Sequence, residues 1–116
     1  MVNTKCLYDP PEQSGGDRIL VTRYWPRGIS RDRLAIIDWM RNLAPSKELL
    51  HDWKKQTITW QEYTLRYHQE MREQQAAIKE LADRAKRGTI TLLCFEREDE
   101  PCCHRHLLKE LIESER

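Results

Sequence analysis

Apolar residues follow two patterns along the chain, one typical of strands and one typical of helices. Short continuous runs at 5–8, 18–24 and 89–95 predict three strands. The last run is almost wholly apolar or β-branched, which is typical of a strand buried on both faces in a parallel sheet. Elsewhere the apolar residues recur every three or four positions. The order strand, strand, helices, strand, helix predicts an α/β fold in which helices flank a small, mainly parallel sheet in a three-layer-like domain.

Capping residues divide the helical part of the chain into segments. Ser30 is a suitable N-cap, and the spacing of the apolar residues after it predicts a helix that ends before Pro45. Ser46 would begin a second, short helix. Thr59 opens a capping box, and the helix after it is long enough that we expect a bend near 74–75. A final helix is predicted after a polar loop at 96–101, and another loop is predicted at 12–17.

Composition narrows the class of protein. The 116 residues are 39% hydrophobic and 34% charged, which suits one domain spanning 1–116. No apolar run approaches a bilayer span, and the N-terminus lacks an apolar signal sequence, so we expect a cytoplasmic protein with no membrane partner. The net charge of +1 argues against a protein-wide basic field for nucleic acid. The arginines between Arg18 and Arg33 could still form a local basic patch.

The sequence from Cys102 to Arg105 lies where the last helix should begin. Free backbone N–H groups and the helix dipole favour an anion at such a position, and they lower the pKa of a thiol. We therefore expect the pKa of Cys103 to lie below the free value of about 8.5. The guanidinium of Arg105 is well shaped for phosphate or carboxylate. The alternative is that Cys103 is a small buried N-cap residue and that His104 and Arg105 are surface groups.

Parallel strands bring distant residues to one edge of a sheet. If the strands at 18–24 and 89–95 are parallel, their carboxyl ends meet, and ligands usually bind at such an edge. The candidate site then combines two catalytic residues with four ligand-binding residues: Cys103 and Glu96, and Arg23, Arg27, His104 and Arg105. Cys94, at the end of a buried strand, is interpreted as a packing residue.

Metal and nucleotide cofactors are not predicted. Cys102, Cys103, His104 and His106 carry donor atoms that suit zinc, but adjacent ligands fit a tetrahedral site poorly, and no second C-x-x-C pair exists. The sequence also has neither G-x-G-x-x-G nor a P-loop.

Three segments carry a resemblance to a known family. RILVTRYWPRG at 18–28 resembles the ILVDRLWPRG signature of the YeaO-like proteins, a branch of domain-of-unknown-function family 488. LAPS at 43–46 with Leu49 resembles that branch's LAPS.EL segment. LLCFE at 92–96 and CHR at 103–105 resemble the wider family's LLC.E…CHR signature. The resemblance covers nearly the whole chain and implies a compact α/β domain of bacterial or archaeal type, without supplying a reaction.

The sequence departs from the branch in two places. Thr22 stands where the family has Asp, which removes any acid–base or metal role for that carboxylate. Many YeaO-like members also lack the Cys–His–Arg element that this chain has at 103–105.

Two functional hypotheses follow. In the first, the protein is an enzyme or enzyme-like domain that binds a small anionic ligand at the sheet edge. Arg27 and Arg105 would clamp the anion, Cys103 would be the nucleophile or redox thiol, and Glu96 would orient an arginine or act as a base. In the second, a non-catalytic nucleotide or nucleic-acid-binding module uses the arginines between Arg18 and Arg33.

Overall fold

Four parallel strands form one sheet in the computed structural model, which describes residues 1–11, 15–97 and 99–115. The strands are β1 (Val2–Cys6), β2 (Asp17–Leu20), β3 (Asp38–Trp39) and β4 (Ile90–Cys94), in the order β1-β4-β2-β3. Leu20 pairs with Leu93, and Cys6 pairs with Cys94. The predicted parallel pairing of the strands around 18–24 and 89–95 is confirmed, as is the α/β class. The carboxyl ends of β1, β4 and β2 consequently lie side by side.

Five helices surround this sheet in the described part of the chain: α1 (Arg31–Leu34), α2 (Lys47–Lys54), α3 (Trp60–Met71), α4 (Gln75–Arg87) and α5 (His104–Ser114). The side chains of Ser30, Ser46 and Thr59 each accept a hydrogen bond from the backbone N–H three residues later, which confirms the predicted caps. The predicted bend is a 3₁₀ turn, Arg72–Gln74, between α3 and α4. None of the helices in 1–11, 15–97 and 99–115 is long and apolar enough to cross a membrane.

The long helix predicted from Ser30 towards Pro45 is wrong. Helix α1 stops after one turn because Ala35 adopts left-handed backbone angles (φ 56°). The chain then runs beside β2: the N–H of Ile37 donates to the carbonyl of Arg18, and the N–H of Met40 donates to that of Leu20. The spacing of the apolar residues suggested a helix, but pairing with the sheet determines the local structure.

Two other boundaries differ from prediction. Strand β1 begins and ends earlier than 5–8, and β2 ends at Leu20 rather than continuing to 24. Val21 still donates its N–H to the carbonyl of Leu93, so the chain leaves the sheet gradually. The loop predicted at 12–17 includes 12–14, which lie outside the described residues.

The sheet has a core on each face because successive strand residues point to opposite sides. Ile90 and Leu92 of β4 join the larger core with residues of α3, α4 and α5, whereas Leu93 joins a smaller core with Leu20 and Leu34. By this alternation Cys94 lies on the same face as Ile90 and Leu92, towards the helices. That placement brings the Cys94 side chain to the candidate site.

Candidate functional site

Two thiols and an imidazole converge where β4 ends and α5 begins. Cys94 is the last residue of β4, Cys103 is the N-cap of α5, and His104 is its first residue. The Sγ atoms of Cys94 and Cys103 each lie 3.9 Å from Nδ1 of His104. All three side chains are buried and line the floor of one cleft. The sheet edge and the start of the last helix thus meet at the site, as the sequence predicts.

The imidazole ring is held in one orientation by the backbone just beyond β2. Its Nε2 lies 2.7 Å from the carbonyl oxygen of Val21, which can only accept a hydrogen bond, so Nε2 carries a proton. Nδ1 is consequently the ring nitrogen that faces the sulfurs. The ring also packs 5.8 Å from that of Tyr67, whose hydroxyl donates to the carbonyl of Leu43 (2.8 Å).

The two thiols do not ionise independently. The pKa of Cys94 lies well below its usual value, first because Cys103 donates its S–H to the Cys94 sulfur; His104 and the N–H of Glu96 add to this effect, and burial opposes it. The pKa of Cys103 is raised because its proton is engaged by Cys94 and because it is buried. Burial lowers the pKa of His104, but the Cys94 thiolate and the Val21 carbonyl outweigh burial and raise it. These shifts favour a thiolate at Cys94 over one at Cys103, and they favour the protonated form of His104.

This distribution of charge corrects two expectations. The pKa of Cys103 is raised rather than lowered, so the helix start does not by itself produce a Cys103 thiolate. Cys94, interpreted from the sequence as a packing residue, is the thiol that ionises first. The signal that could have found Cys94 is its position at the carboxyl end of a parallel strand, on the helix-covered face.

The cleft above the cluster has a volume of about 1080 Å³ and is lined by both aromatic and charged residues. Arg23, Arg27 and Lys54 contribute positive charge, and among the described lining residues Glu96 contributes the one carboxylate. Arg27, Lys54 and Glu96 are exposed, whereas Arg23 is half-buried. The cleft rim is therefore net positive.

The loop after β2 positions the two arginines. The hydroxyl of Thr22 donates to the carbonyl of Tyr24 (2.8 Å), and the indole N–H of Trp25 donates to that of Ile29 (2.9 Å). Arg23 donates from Nε to the carbonyl of Pro45 (2.7 Å), which fixes its stem. The Thr22 side chain thus stabilises the backbone of this loop.

Arg105 does not face the cleft, contrary to the expectation that it would clamp an anion beside Arg27. It is fully buried and is absent from the described cleft lining. Its Nη1 donates to the carbonyls of Glu96 (2.6 Å) and Lys5 (3.2 Å), and its Nη2 donates to that of Arg97. Arg105 therefore joins α5 to β1 and to the loop after β4.

The expected pairing of Glu96 with an arginine side chain is also not found. Within 1–11, 15–97 and 99–115, no ion pair involves the Glu96 carboxylate; Arg105 binds the main-chain carbonyl of Glu96 instead. Of the predicted site residues, the structure brings Arg23, Arg27, Glu96, Cys103 and His104 to one cleft.

The buried cluster contains a possible set of metal ligands. The ligand atoms of Cys94, Cys103 and His104 all lie within 4.8 Å of one another. Two thiolates and one imidazole are ligands that zinc prefers, and three protein ligands leave a fourth position for water or substrate. The bond from Nε2 of His104 to Val21 is the kind of outer contact that orients a metal-binding histidine.

Comparison with known proteins identifies the family of this chain. The family model described as "Active DUF488-N3 subclade" (DUF488-N3a) matches residues 2–116. The chain belongs to this family. It is 39% identical to uncharacterized protein YeaO of Escherichia coli (strain K12) over 92 residues, which cover 79% of this chain and 80% of YeaO. It is 34% identical to uncharacterized protein Rv3073c of Mycobacterium tuberculosis (strain ATCC 25618 / H37Rv) over 90 residues, 78% of this chain and 75% of that protein. No solved structure matches the chain significantly.

We predict that Arg105 and Arg27 respond differently to the same conservative change. Arg105→Lys should lower the free energy of unfolding by about 2–4 kcal/mol, because an ammonium group cannot reproduce the planar set of bonds to three carbonyls. Arg27→Lys should change it by less than about 0.5 kcal/mol, because Arg27 is exposed. Urea denaturation measures both. Equal stabilities for the two variants would contradict the structural role of Arg105.

Proposed function

We propose that this protein is a thiol-dependent enzyme that acts on a small anionic ligand bound in the cleft. One observation carries the proposal: a Cys94–Cys103 pair whose sulfurs each lie 3.9 Å from Nδ1 of His104, at the floor of a cleft with a basic rim. A thiolate beside an imidazolium is the usual form of an activated cysteine nucleophile. The reduced thiols that this chemistry needs are consistent with the cytoplasmic location expected from the sequence.

The proposed reaction uses Cys94 as nucleophile. Its sulfur forms a bond to an electrophilic atom of the ligand, and the bond from that atom to the leaving group breaks with its electron pair. The leaving group takes the Nδ1 proton of His104. In the second half, water attacks the covalent adduct and gives its proton to Nδ1, so that Cys94 departs as a thiolate and both groups return to their starting states. Cys103 keeps its proton throughout and stabilises the thiolate.

The rim residues have separate parts in this proposal. Arg27 and Arg23 bind the anionic group of the ligand, for which guanidinium groups are well suited. Glu96, as the lining carboxylate, is placed to accept a hydrogen bond from the ligand or from the attacking water. Arg105 contributes by holding the start of α5 in place rather than by contact with ligand.

A zinc-dependent enzyme is the second candidate, and the convergence of three ligand atoms within 4.8 Å favours it. Cys94 and Cys103 would hold zinc through their sulfurs and His104 through Nδ1, which would leave a fourth position for water or substrate. As a Lewis acid, zinc would supply an activated water at that position. Both thiols would then be bound to zinc, so neither could act as a nucleophile on the anion in the cleft.

The basic-patch alternative finds less support in the arrangement of the arginines. Arg18 is buried and donates from Nε to the carbonyl of Leu34 (3.0 Å). Arg23 and Arg27 line the cleft, whereas Arg31 and Arg33 lie in α1. Burial of Arg18 and partial burial of Arg23 reduce the number of arginines available to a nucleic-acid backbone.

The thiol mechanism predicts an unusual pH profile for alkylation of Cys94. In a variant with Cys6→Ser and Cys102→Ser, the rate of Cys94 modification by iodoacetamide should change less than about threefold between pH 6 and pH 8. A thiol of ordinary pKa would change about 100-fold over this range. His104→Gln should slow the reaction at pH 6, because the Cys103 hydrogen bond, the largest cause of the lowered pKa of Cys94, would then act without the added positive charge of His104. Peptide mass spectrometry identifies the modified residue.

The same experiment has a clear adverse outcome. A Cys94 rate that rises tenfold per pH unit up to pH 8, with or without His104, would mean that its thiol is ordinary. Cys103→Ala provides a second comparison: loss of the S–H donor should raise the pKa of Cys94 and reduce modification at low pH. The original four-cysteine protein serves as the reference.

Metal analysis separates the two candidate enzymes. The zinc-dependent candidate predicts close to one zinc per purified chain, with Cys94 protected from iodoacetamide until a chelator is added. It also predicts thiolate-to-cobalt absorption after Co²⁺ substitution, and loss of that absorption in Cys94→Ser. The thiol mechanism predicts far less than one metal ion per chain and no effect of chelator on alkylation.

Anion binding tests the role of the rim. Pyrophosphate should bind the protein, and Arg27→Gln should weaken its affinity about tenfold, because it removes a charged hydrogen-bond donor. Arg31→Gln is the matched control and should leave the affinity unchanged. Isothermal titration calorimetry measures both. If instead an oligonucleotide binds with a steep salt dependence that Arg31→Gln and Arg33→Gln reduce, the basic-patch alternative is correct.

A further inference from the structure

Three neighbouring strands each deliver one exposed aromatic side chain to the cleft. Tyr8 follows β1, Tyr24 follows β2 and Phe95 directly follows β4. Their exposed fractions are 55%, 49% and 38%. Large aromatic side chains normally gain stability from burial, so three left exposed at one rim are unusual. Within the described residues none of the three contacts another aromatic ring.

The deeper wall of the cleft is aromatic for a different reason. Trp53, Trp60 and Tyr63 pack against one another with ring centroids 4.8–5.4 Å apart, and Tyr63 is part of the larger core. These rings stabilise the fold whether or not a ligand is present. Within the described residues the rim rings make no such ring contacts, so packing in the aromatic wall does not account for their position.

Charge at the same rim restricts the class of ligand. Arg27 and Lys54 are exposed in the cleft, and within 1–11, 15–97 and 99–115 neither side chain forms a hydrogen bond or an ion pair. An uncharged aromatic ligand would leave these cations unused, and an aliphatic anion would leave the rim rings exposed. A ligand with both a planar ring and a negative group satisfies both features.

We infer that the cleft binds an anion that carries a planar aromatic ring, with the ring against Tyr8, Tyr24 or Phe95 and the negative group at Arg27. This inference rests on the proposed function and names the substrate class for the same site. Nucleoside monophosphates and aromatic carboxylates share this chemistry. A cleft of about 1080 Å³ is at the upper end of small-ligand sites and suits a whole molecule of this kind.

The test compares five probes by isothermal titration calorimetry at one ionic strength: adenosine 5′-monophosphate, adenosine, ribose 5-phosphate, indole-3-carboxylate and a short single-stranded oligonucleotide. We expect an aromatic anion to bind at least tenfold more tightly than either adenosine or ribose 5-phosphate, since stacking on one ring contributes about that factor. The nucleotide and the indole carboxylate show which source the cleft prefers.

Variants connect this preference to the rim. The triple variant Tyr8→Leu, Tyr24→Leu, Phe95→Leu keeps apolar side chains at these positions but removes all three π faces. It should abolish the tenfold advantage of the aromatic anion and leave ribose 5-phosphate affinity unchanged. Ile37→Ala, a change at an exposed apolar residue outside the cleft lining, is the control and should preserve the advantage. Circular dichroism verifies that each variant is folded.

The adverse outcomes separate this inference from the proposed function. If ribose 5-phosphate binds as tightly as both aromatic anions, the aromatic substrate class is refuted while the anion site stands. If none of the anionic probes and no pyrophosphate binds, the proposed function itself fails. An oligonucleotide that binds tenfold more tightly than the mononucleotide would overturn the small-molecule ligand in favour of single-stranded nucleic acid.

Discussion

The buried guanidinium of Arg105 is the interaction on which the arrangement of the site depends. A cation removed from water is costly unless hydrogen bonds replace its hydration. Here the carbonyls of Lys5, Glu96 and Arg97 do so, and they belong to β1 and to the loop after β4. One side chain therefore ties the first turn of α5 to the ends of two adjacent strands. The position of His104, one residue earlier, follows from that attachment.

The orientation of the His104 ring then determines which of its nitrogens faces the two thiols. The carbonyl of Val21 fixes the ring through Nε2, so the remaining nitrogen faces Cys94 and Cys103. Because Val21 lies just beyond β2 and Cys94 ends β4, the ring spans two neighbouring strands of the sheet. The parallel topology is what makes this possible, since it brings both carboxyl ends to the same edge.

The sequence predicts the location of the site better than the role of each residue. Parallel pairing of β2 and β4 follows from apolar patterning and a helical connection, and it correctly brings Arg27 and Cys103 to one cleft. The roles of Cys94 and Arg105 depend on side-chain direction, which is set by the strand's two-residue period and by the packing of α5. The residue types at the start of a helix specify neither the direction of a strand side chain nor the packing of the helix. Segment 36–40 differs from the predicted helix for a similar reason. The backbone N–H groups of Ile37 and Met40 bond to β2 rather than within a helix.

The Cys103 thiol beside Cys94 has an electrostatic effect that a single cysteine would lack. Two buried thiolates at this distance would repel, so ionisation of one sulfur makes ionisation of the other unfavourable. The proton that Cys103 keeps is then available as a hydrogen-bond donor to Cys94. Burial alone would raise the pKa of Cys94, and the Cys103 donor, His104 and the Glu96 N–H together outweigh burial. The three residues of the Cys–His–Arg segment thus have different roles. Cys103 and His104 lower the pKa of Cys94, which lies at the end of β4. Arg105 holds the start of α5 next to β1 and to the loop after β4.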